Sequence, residues 1–354
     1  MVKEIIVVHI PFKMGYRASG GGMRPQKMVS AFKREGLDVE VIEGDHPQRN
    51  RMFQNLLKRV ESNELKIRFI YSESSANPTI FTDRKNWFLF RDFFYLRKLH
   101  KRGVPVGLFY RDVHWNFEIA QKKANFLKQN LLKFFHYLDL VLYLTFVDML
   151  YLPSKQMKEF VPLSKYFKAV DELPPGHDVH ESVPSRSMND FPKMIYVGGV
   201  LPPVYDITPI LEDFGNQNLT ICCRKDEWEV QKHSYERLIE ARTKVVHLQG
   251  EELRAELLNN HISLIVRTNH SYLSFSQPLK FFEAIGFELP LVVTEGSLVA
   301  DLVKKWDIGW VCKDGADGLE FTSYQQKLAN ISKVKPLHTW DARARKVVDD
   351  LSKV

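Results

Sequence analysis

The sequence predicts an α/β protein with two doubly wound domains, each built on a mainly parallel sheet. Three observations carry this prediction. Short aliphatic runs alternate with longer amphipathic stretches from the first residues onward, which is the pattern of βαβ units. The alternation restarts near residue 194, after a stretch poor in aliphatic side chains. Finally, 354 residues with 44 % apolar and 26 % charged content supply enough chain for two cores.

In order along the chain, the expected strands of the first half are Ile5–His9, Val39–Glu43, Ile67–Tyr71, Val104–Phe109 and Leu140–Tyr143. Those of the second half are Met194–Val197, Leu219–Cys223, Val245–Leu248, Ile262–Val266, Leu291–Val293 and Gly309–Val311. Between the halves, Glu172–Ser187 (ELPPGHDVHESVPSRS) is rich in Pro, Ser and His and reads as a linker. The first domain is therefore placed at 1–172, the linker at 173–192 and the second domain at 193–339. Val347, Val348 and Leu351 fall at helical spacing, so 340–354 is expected to be a helix that returns to the first domain.

Composition narrows the function classes. The apolar start MVKEIIVVHIPF is too short for a secretory core and runs into a Gly-rich stretch, so it reads as a buried strand. The longest later apolar run, Leu138–Leu152, is broken by Asp139 and Asp148 and falls short of the roughly 20 residues that a spanning helix needs. Cys222, Cys223 and Cys312 lack metal-site spacing, which points to a reducing compartment without structural zinc. Residues 1–170 hold 29 Lys and Arg against 16 Asp and Glu, a surplus of 13, so the remainder is acidic. A basic first half expects an anionic partner: a membrane surface, a lipid diphosphate or a nucleic acid. No nucleic-acid-binding module is recognisable, so the last is set aside. Trp87–Arg102 and Lys122–Phe135 interleave aromatics or leucines with cations, as interfacial helices do; core helices with charged outer faces would read alike.

Ligands of open parallel sheets bind at the carboxyl ends of the strands, so two such domains are expected to share a cleft lined by those loops. The most informative stretch is Ser276–Thr294 (SQPLKFFEAIGFELPLVVT), a loop, a helix and a buried strand. A helix beginning near Pro278 offers unpaired N–H groups, and Lys280 sits in its first turn, which outlines a diphosphate site. Ser276 and Gln277 lie in the loop that would meet the same group. Glu283, one turn on, is placed to accept from a ribose diol, or else pairs with Lys280 at i, i+3.

This segment resembles the P-L-K-x-F-E-x-x-x-x-G-x-P-V-V signature of family 4 and related retaining glycosyltransferases. VDMLYLPSKQMKEF, LPPGHD, MIYVGG, VVHLQGEELRAELLNNHISLIV and SGGGMRPQKMVSAFKREGLDVEVI resemble, in the same order, that family's other segments. The resemblance implies a GT-B fold of two Rossmann-like domains, a nucleotide-sugar donor bound mainly by the second, an acceptor bound mainly by the first, and no cofactor or obligatory metal. The absence of a D-x-D motif agrees with the last point. His177, Asp178 and His180 form a conceivable metal cluster, although solvated linker residues explain them as well. By the resemblance, Lys280 matches the signature lysine and Glu283 the acid that holds the donor ribose.

Two departures stand out. The family often places a second acid eight positions before Glu283, facing the donor sugar, and here that position is Phe275. The Arg and Lys that clamp the diphosphate after the MIYVGG-type strand are replaced by VLPPVYD. Arg267 and Arg224, each following a strand of the second half, are the candidate replacements, since a guanidinium suits a diphosphate. Arginines at strand ends also serve solubility.

In the first half, Gly20, Gly21 and Gly22 lie between strand and helix, where glycines let a backbone approach an anion, with Arg24 just beyond. A plain flexible loop would look the same. Asp112 and His114 follow the fourth strand. By the resemblance either one stands near the reacting sugar, Asp112 as general base or His114 as donor or proton shuttle; the alternative is a loop in which Asp112 pairs with Arg111 and Trp115 seals the core. The expected activity is transfer of a sugar from a nucleoside diphosphate to a hydroxyl of a glycan or lipid-linked acceptor, in surface polysaccharide or glycoconjugate synthesis. The expected location is cytoplasmic, either free or peripheral on the inner membrane face. Retention is implied by the family; inversion with Asp112 as base stays open, as do a non-catalytic subunit of a partner transferase and a sugar-nucleotide epimerase.

Overall fold

A computed structural model describes residues 2–15, 20–79, 90–117, 126–179, 192–202, 205–266, 271–313, 319, 321 and 323–354. The chain forms two compact units, Met1–Pro175 with Trp340–Val354, and Gly176–Thr339. The first crossing thus falls inside the Pro-rich stretch read as a linker.

The first unit holds a six-stranded parallel sheet in the order β2-β1-β3-β4-β5-β6. Its strands are β1 Lys3–His9, β2 Val39–Ile42, β3 Leu65–Glu73, β4 Val106–Phe109, β5 Met149–Leu152 and β6 Ala169–Glu172. The middles of the inner strands are mostly apolar because helices cover both faces. These helices are α1 Gly20–Arg34, α2 His46–Glu61, α3 Arg91–His100, α4 Phe126–Tyr143 and the returning α11 Trp340–Leu351. The connection from β1 to β2 runs one way along the sheet and those from β2 to β3, β3 to β4 and β4 to β5 run the other. Right-handed crossovers therefore put α1 on one face and α2, α3 and α4 on the opposite one. Side chains agree: Phe53 of α2 stacks on Tyr95 of α3 at 4.9 Å, and Phe93 of α3 meets Tyr143 of α4 at 5.0 Å. On the other face α11 packs along α1, and Arg34 pairs with Asp341 at 2.6 Å.

Two expectations for this unit are corrected. Leu140–Tyr143 is the last turn of α4, not a strand. Leu140 and Tyr143 are buried while Val141 is exposed, which continues the helical period begun at Phe126. The fifth strand is Met149–Leu152, after Asp148, whose carboxylate accepts from Val106 N–H at 2.9 Å. Gly20, Gly21 and Gly22 form the first turn of α1 rather than a loop. Ser19 lies outside the described residues.

The second unit carries β7 Lys193–Val197, β8 Asn218–Cys222, β9 Thr243–Val246, β10 Ile262–Ile265, β11 Leu291–Thr294 and β12 Gly309–Cys312 in the order β12-β11-β10-β7-β8-β9, all parallel. The helices are α5 Thr208–Phe214, α6 Lys225–Tyr235, α7 Gly250–Asn259, α8 Leu279–Gly286, α9 Leu298–Trp306 and α10 Tyr324–Val334. Phe281, Phe282 and Ile285 seat α8 on the sheet through a core that includes Ile265, Leu291 and Val293. The three cysteines are buried and free. His177 is no solvated linker residue: it is buried, with Nε2 2.9 Å from the Lys335 carbonyl and Nδ1 2.7 Å from that of Asp178. His180 lies outside the described residues.

Candidate functional site

In each sheet the strand order reverses once, and the crevice at such a reversal is where an open α/β sheet receives a ligand. In the second unit the reversal lies between β7 and β10. Strand β7 runs out into Gly198 and Gly199, where a side chain would collide at the first and be crowded at the second. A Cβ on Gly198 would lie 2.6 Å from the Tyr196 hydroxyl and 2.8 Å from Lys280 Nζ, and one on Gly199 would lie 3.0 Å from the Tyr205 ring. The turn is pinned from several sides. The Tyr196 hydroxyl donates to the Gly199 carbonyl at 2.6 Å, the Tyr235 hydroxyl donates to the Val200 carbonyl at 3.1 Å, and Val200 N–H donates to Glu227 at 3.2 Å.

Opposite this turn, α8 starts after Pro278, which has extended backbone and no side-chain cap. Within its first turn the Phe281 N–H donates back to the Pro278 carbonyl at 3.0 Å. Lys280, in that first turn, carries its Nζ over the Tyr196 ring, 4.4 Å from the centroid. One cation, a helix N-terminus and a glycine backbone thus meet at a single strand end, an arrangement suited to a diphosphate. Glu283 is half-buried one turn on, Ser276 is half-buried and Gln277 is buried before the helix. Arg224 holds the N-cap position of α6 and pairs with Glu227, so its guanidinium also steadies the carboxylate that anchors the Val200 turn. Arg267 lies outside the described residues.

In the first unit the reversal lies between β1 and β3. Here the strand ends are filled with buried charge. His9 Nδ1 is 2.9 Å from the Ser72 hydroxyl, and His9 Nε2 is 3.9 Å from Asp92, which Arg49 grips through Nη2 at 2.6 Å. Burial lowers His9 to a pKa of about 4, Asp92 opposing and Arg49 reinforcing the shift, so the ring is neutral at neutral pH. Beside it, the buried Glu73 carboxylate takes Arg111 Nη2 at 3.1 Å, Arg24 Nε at 3.6 Å and the Tyr71 hydroxyl at 3.1 Å. The Arg24 guanidinium lies 3.5 Å over the Phe109 ring.

Beyond β4, Asp112 accepts from His114 N–H at 2.9 Å, and its second oxygen is 3.3 Å from His114 Nδ1. Arg111 is committed to Glu73 instead. Trp115 does seal the core, stacked at 4.7 Å on His136 of α4, whose pKa burial lowers to about 3. Asp139, one turn further along α4, takes Thr79 N–H at 2.6 Å, and burial raises its pKa to about 7.

No protein-family model matches the chain, and no curated protein sequence matches it. Solved structures do. Sucrose-phosphate synthase from Thermosynechococcus elongatus superimposes with a TM-score of 0.65 over 98 % of both chains at 13 % identity. HepE of Anabaena, solved with UDP-glucose, gives 0.62 over 99 % of this chain and all of that one at 10 % identity. WaaG, a glycosyltransferase of lipopolysaccharide biosynthesis, gives 0.51 over 97 % and 95 % at 15 % identity. The fold is GT-B.

Within this GT-B frame the second unit gathers Lys280, Glu283, Ser276 and Gln277 on or beside one helix start, with Arg224 held apart by Glu227. In the first unit Asp112 and His114 are brought together as a pair. The glycine triplet opens α1, the helix that also carries Arg24. Sequence reasoning named neither Glu73, His9 nor Glu227 among the site residues. The signal was present for the first two, since each is a polar residue closing an apolar strand (IIVVH and FIYSE) at a carboxyl end.

Proposed function

We propose that this protein transfers a sugar from a nucleoside-diphosphate donor to a hydroxyl of a glycan or lipid-linked acceptor in surface glycoconjugate synthesis. It would work in the cytoplasm, at or near the inner membrane face, by a retaining reaction that needs no metal. The observation that carries this reading is Lys280 Nζ poised over the Gly198 backbone at the uncapped start of α8. In the reaction the acceptor oxygen bonds to the anomeric carbon as the bond from that carbon to the diphosphate breaks. The leaving diphosphate gains negative charge, which Lys280, the α8 amides and Arg267 stabilise more strongly than in the ground state. Glu283 holds the ribose. On this retaining course the acceptor's proton passes to the departing diphosphate oxygen; Asp112, held beside His114, would take it on the inverting course. Phe275 is buried against Tyr272, so no acid grips the donor sugar from that position.

HepE was solved with UDP-glucose, which makes UDP and its sugar conjugates the first donors to test. A thermal-shift series with free nucleoside diphosphates and UDP-sugars should raise Tm by several degrees for one base, and Lys280→Ala and Glu283→Ala should each reduce the rise. No stabilisation at millimolar nucleotide would remove the donor site. Stabilisation without transfer to any acceptor extract would favour a non-catalytic subunit. The anomeric configuration of the product, read by NMR, decides between retention and inversion, and transfer that survives a chelator decides the metal question.

A further inference from the structure

We propose that α4 of the first unit is a dimer interface, along which two copies of the chain pair antiparallel about a two-fold axis near Phe134. This pairing is read from one helix and is independent of the transfer reading. Along α4, Leu127, Leu131, Phe134, Tyr137 and Val141 are 81 %, 55 %, 58 %, 43 % and 48 % exposed. With the half-buried Leu138, four of them form the series Leu127, Leu131, Phe134, Leu138, Val141, about 21 Å long at 1.5 Å per residue. Its steps alternate between four and three residues, the 3.5-residue period that keeps one helix seam facing another. His136 and Tyr143, seven residues apart, are buried on the opposite side of the helix and seat it on the unit, so the seam points outward. An apolar stripe placed in this way marks an interaction site rather than a solvated face.

Spacing, area and charge point to a second copy as the occupant. Interlocking with another helix requires a seam of this period, whereas burial in a fluid apolar layer sets no such spacing. At roughly 150–250 Å² for a large side chain, the five exposures come to about 600 Å² per copy, so a pair buries about 1,200 Å², where stable interfaces begin. Half-buried Phe135 and Leu142 border the stripe and add to that area. Of the 18 residues of α4 only Lys128, Lys133 and the buried Asp139 are charged, and none of them holds a seam position. A two-fold operator needs a patch complementary to itself, and this seam is apolar from end to end. Antiparallel pairing sets opposed helix dipoles side by side and separates the two copies of Lys128, which parallel pairing would set level. It places Phe134 on the axis, facing its own copy, and Leu127 beside Val141 of the partner subunit.

The test is sedimentation velocity of the full chain over a concentration series in the micromolar range. A dimer is expected. Leu131→Glu with Phe134→Glu should weaken association by about a hundredfold or more, because four carboxylates would be buried unpaired in the seam. Val230→Glu, on an exposed apolar residue of the second unit, should leave the dimer unchanged. Circular dichroism and Tm establish that each variant is folded. Cross-linking reads the register independently of the charged pair. Under mild oxidation Phe134→Cys should join two copies through a disulfide, whereas Leu127→Cys should link only when mixed with Val141→Cys. The native cysteines are buried and supply no such link. The proposal is overturned if the wild type is a monomer throughout the series, and flotation of that monomer on anionic vesicles would assign the stripe to a bilayer instead. It is also overturned if the charged pair dimerises as well as wild type, or if Leu127→Cys links to itself as readily as Phe134→Cys.

Discussion

The two sheets reverse strand order in the same way, yet the crevices at the reversals are built from opposite materials. Between β1 and β3 the first unit packs His9, Ser72, Glu73, Arg24 and Arg111 into a buried charge network. Between β7 and β10 the second unit presents glycine backbone, a helix start and one lysine. A crevice of backbone amides admits a ligand's oxygens at close range and keeps its shape without them, because its hydrogen bonds run through Tyr196, Tyr235 and Glu227 behind it. A crevice of buried side chains holds the fold together. Substitutions at the first reversal should therefore act on stability, and those at the second on binding and turnover.

The largest effect should come from Glu73→Gln. It leaves Arg24 and Arg111 facing each other without their shared carboxylate, and breaking a buried pair in this way costs about 3–5 kcal/mol. Scanning calorimetry should show the first unit melting roughly 10 °C lower. An unchanged melting profile would mean that the network is not structural, and the contrast between the units would collapse. Next is Lys280→Ala, expected to slow transfer by about 10²–10³-fold, the usual cost of losing one charge-stabilising donor. Since Lys280 is only half-buried, the ligand-free Tm should fall by less than in Glu73→Gln. A Tm drop as large as that of Glu73→Gln would make Lys280 a structural residue.

Acid should also separate the units. His9 is neutral in the folded protein down to about pH 4, whereas an unfolded histidine takes up a proton near 6.5. Below pH 6.5 the unfolded chain thus binds more protons, and stability is lost progressively from 6.5 down to 4, by about 3 kcal/mol. His136, lowered to about 3, adds to the same limb. Asp139, raised to about 7, works oppositely: its folded form holds a proton that the unfolded chain releases near 4, so it costs stability as pH rises from 4 to 7. His9→Gln should flatten the acid loss and Asp139→Asn should steepen it, both read from Tm against pH.

The sequence disclosed the parts of the fold that rest on apolar periodicity. All six strands of the second unit were legible because their aliphatic runs are short and bounded by polar or turn residues. Leu140–Tyr143 misled because an apolar run at the end of a helix has no local mark to distinguish it from a strand, and only the period carried in from Phe126 does so. Strand β6, AVDE, went unseen because an edge strand that is half-buried needs no apolar run. The helix start at Pro278 was legible from chain chemistry, and with it Lys280. The network at the first reversal was not, since Arg24, Glu73 and His9 are scattered over more than sixty positions and meet only once the sheet has formed.

The smallest predicted effect probes what the second crevice recognises beyond phosphate. Glu283 lies on α8 one turn after Lys280 and so further from the helix start. If it holds a ribose diol, Glu283→Ala loses a charge-assisted hydrogen bond and should weaken nucleoside-diphosphate binding by about tenfold. Binding of inorganic pyrophosphate, which has no ribose, should be unchanged by the same substitution and abolished by Lys280→Ala. Calorimetric titration of the two ligands against the two variants separates the cases. Equal loss for both ligands in Glu283→Ala would show that the carboxylate acts by fixing Lys280, leaving the lysine and the helix start to recognise any diphosphate.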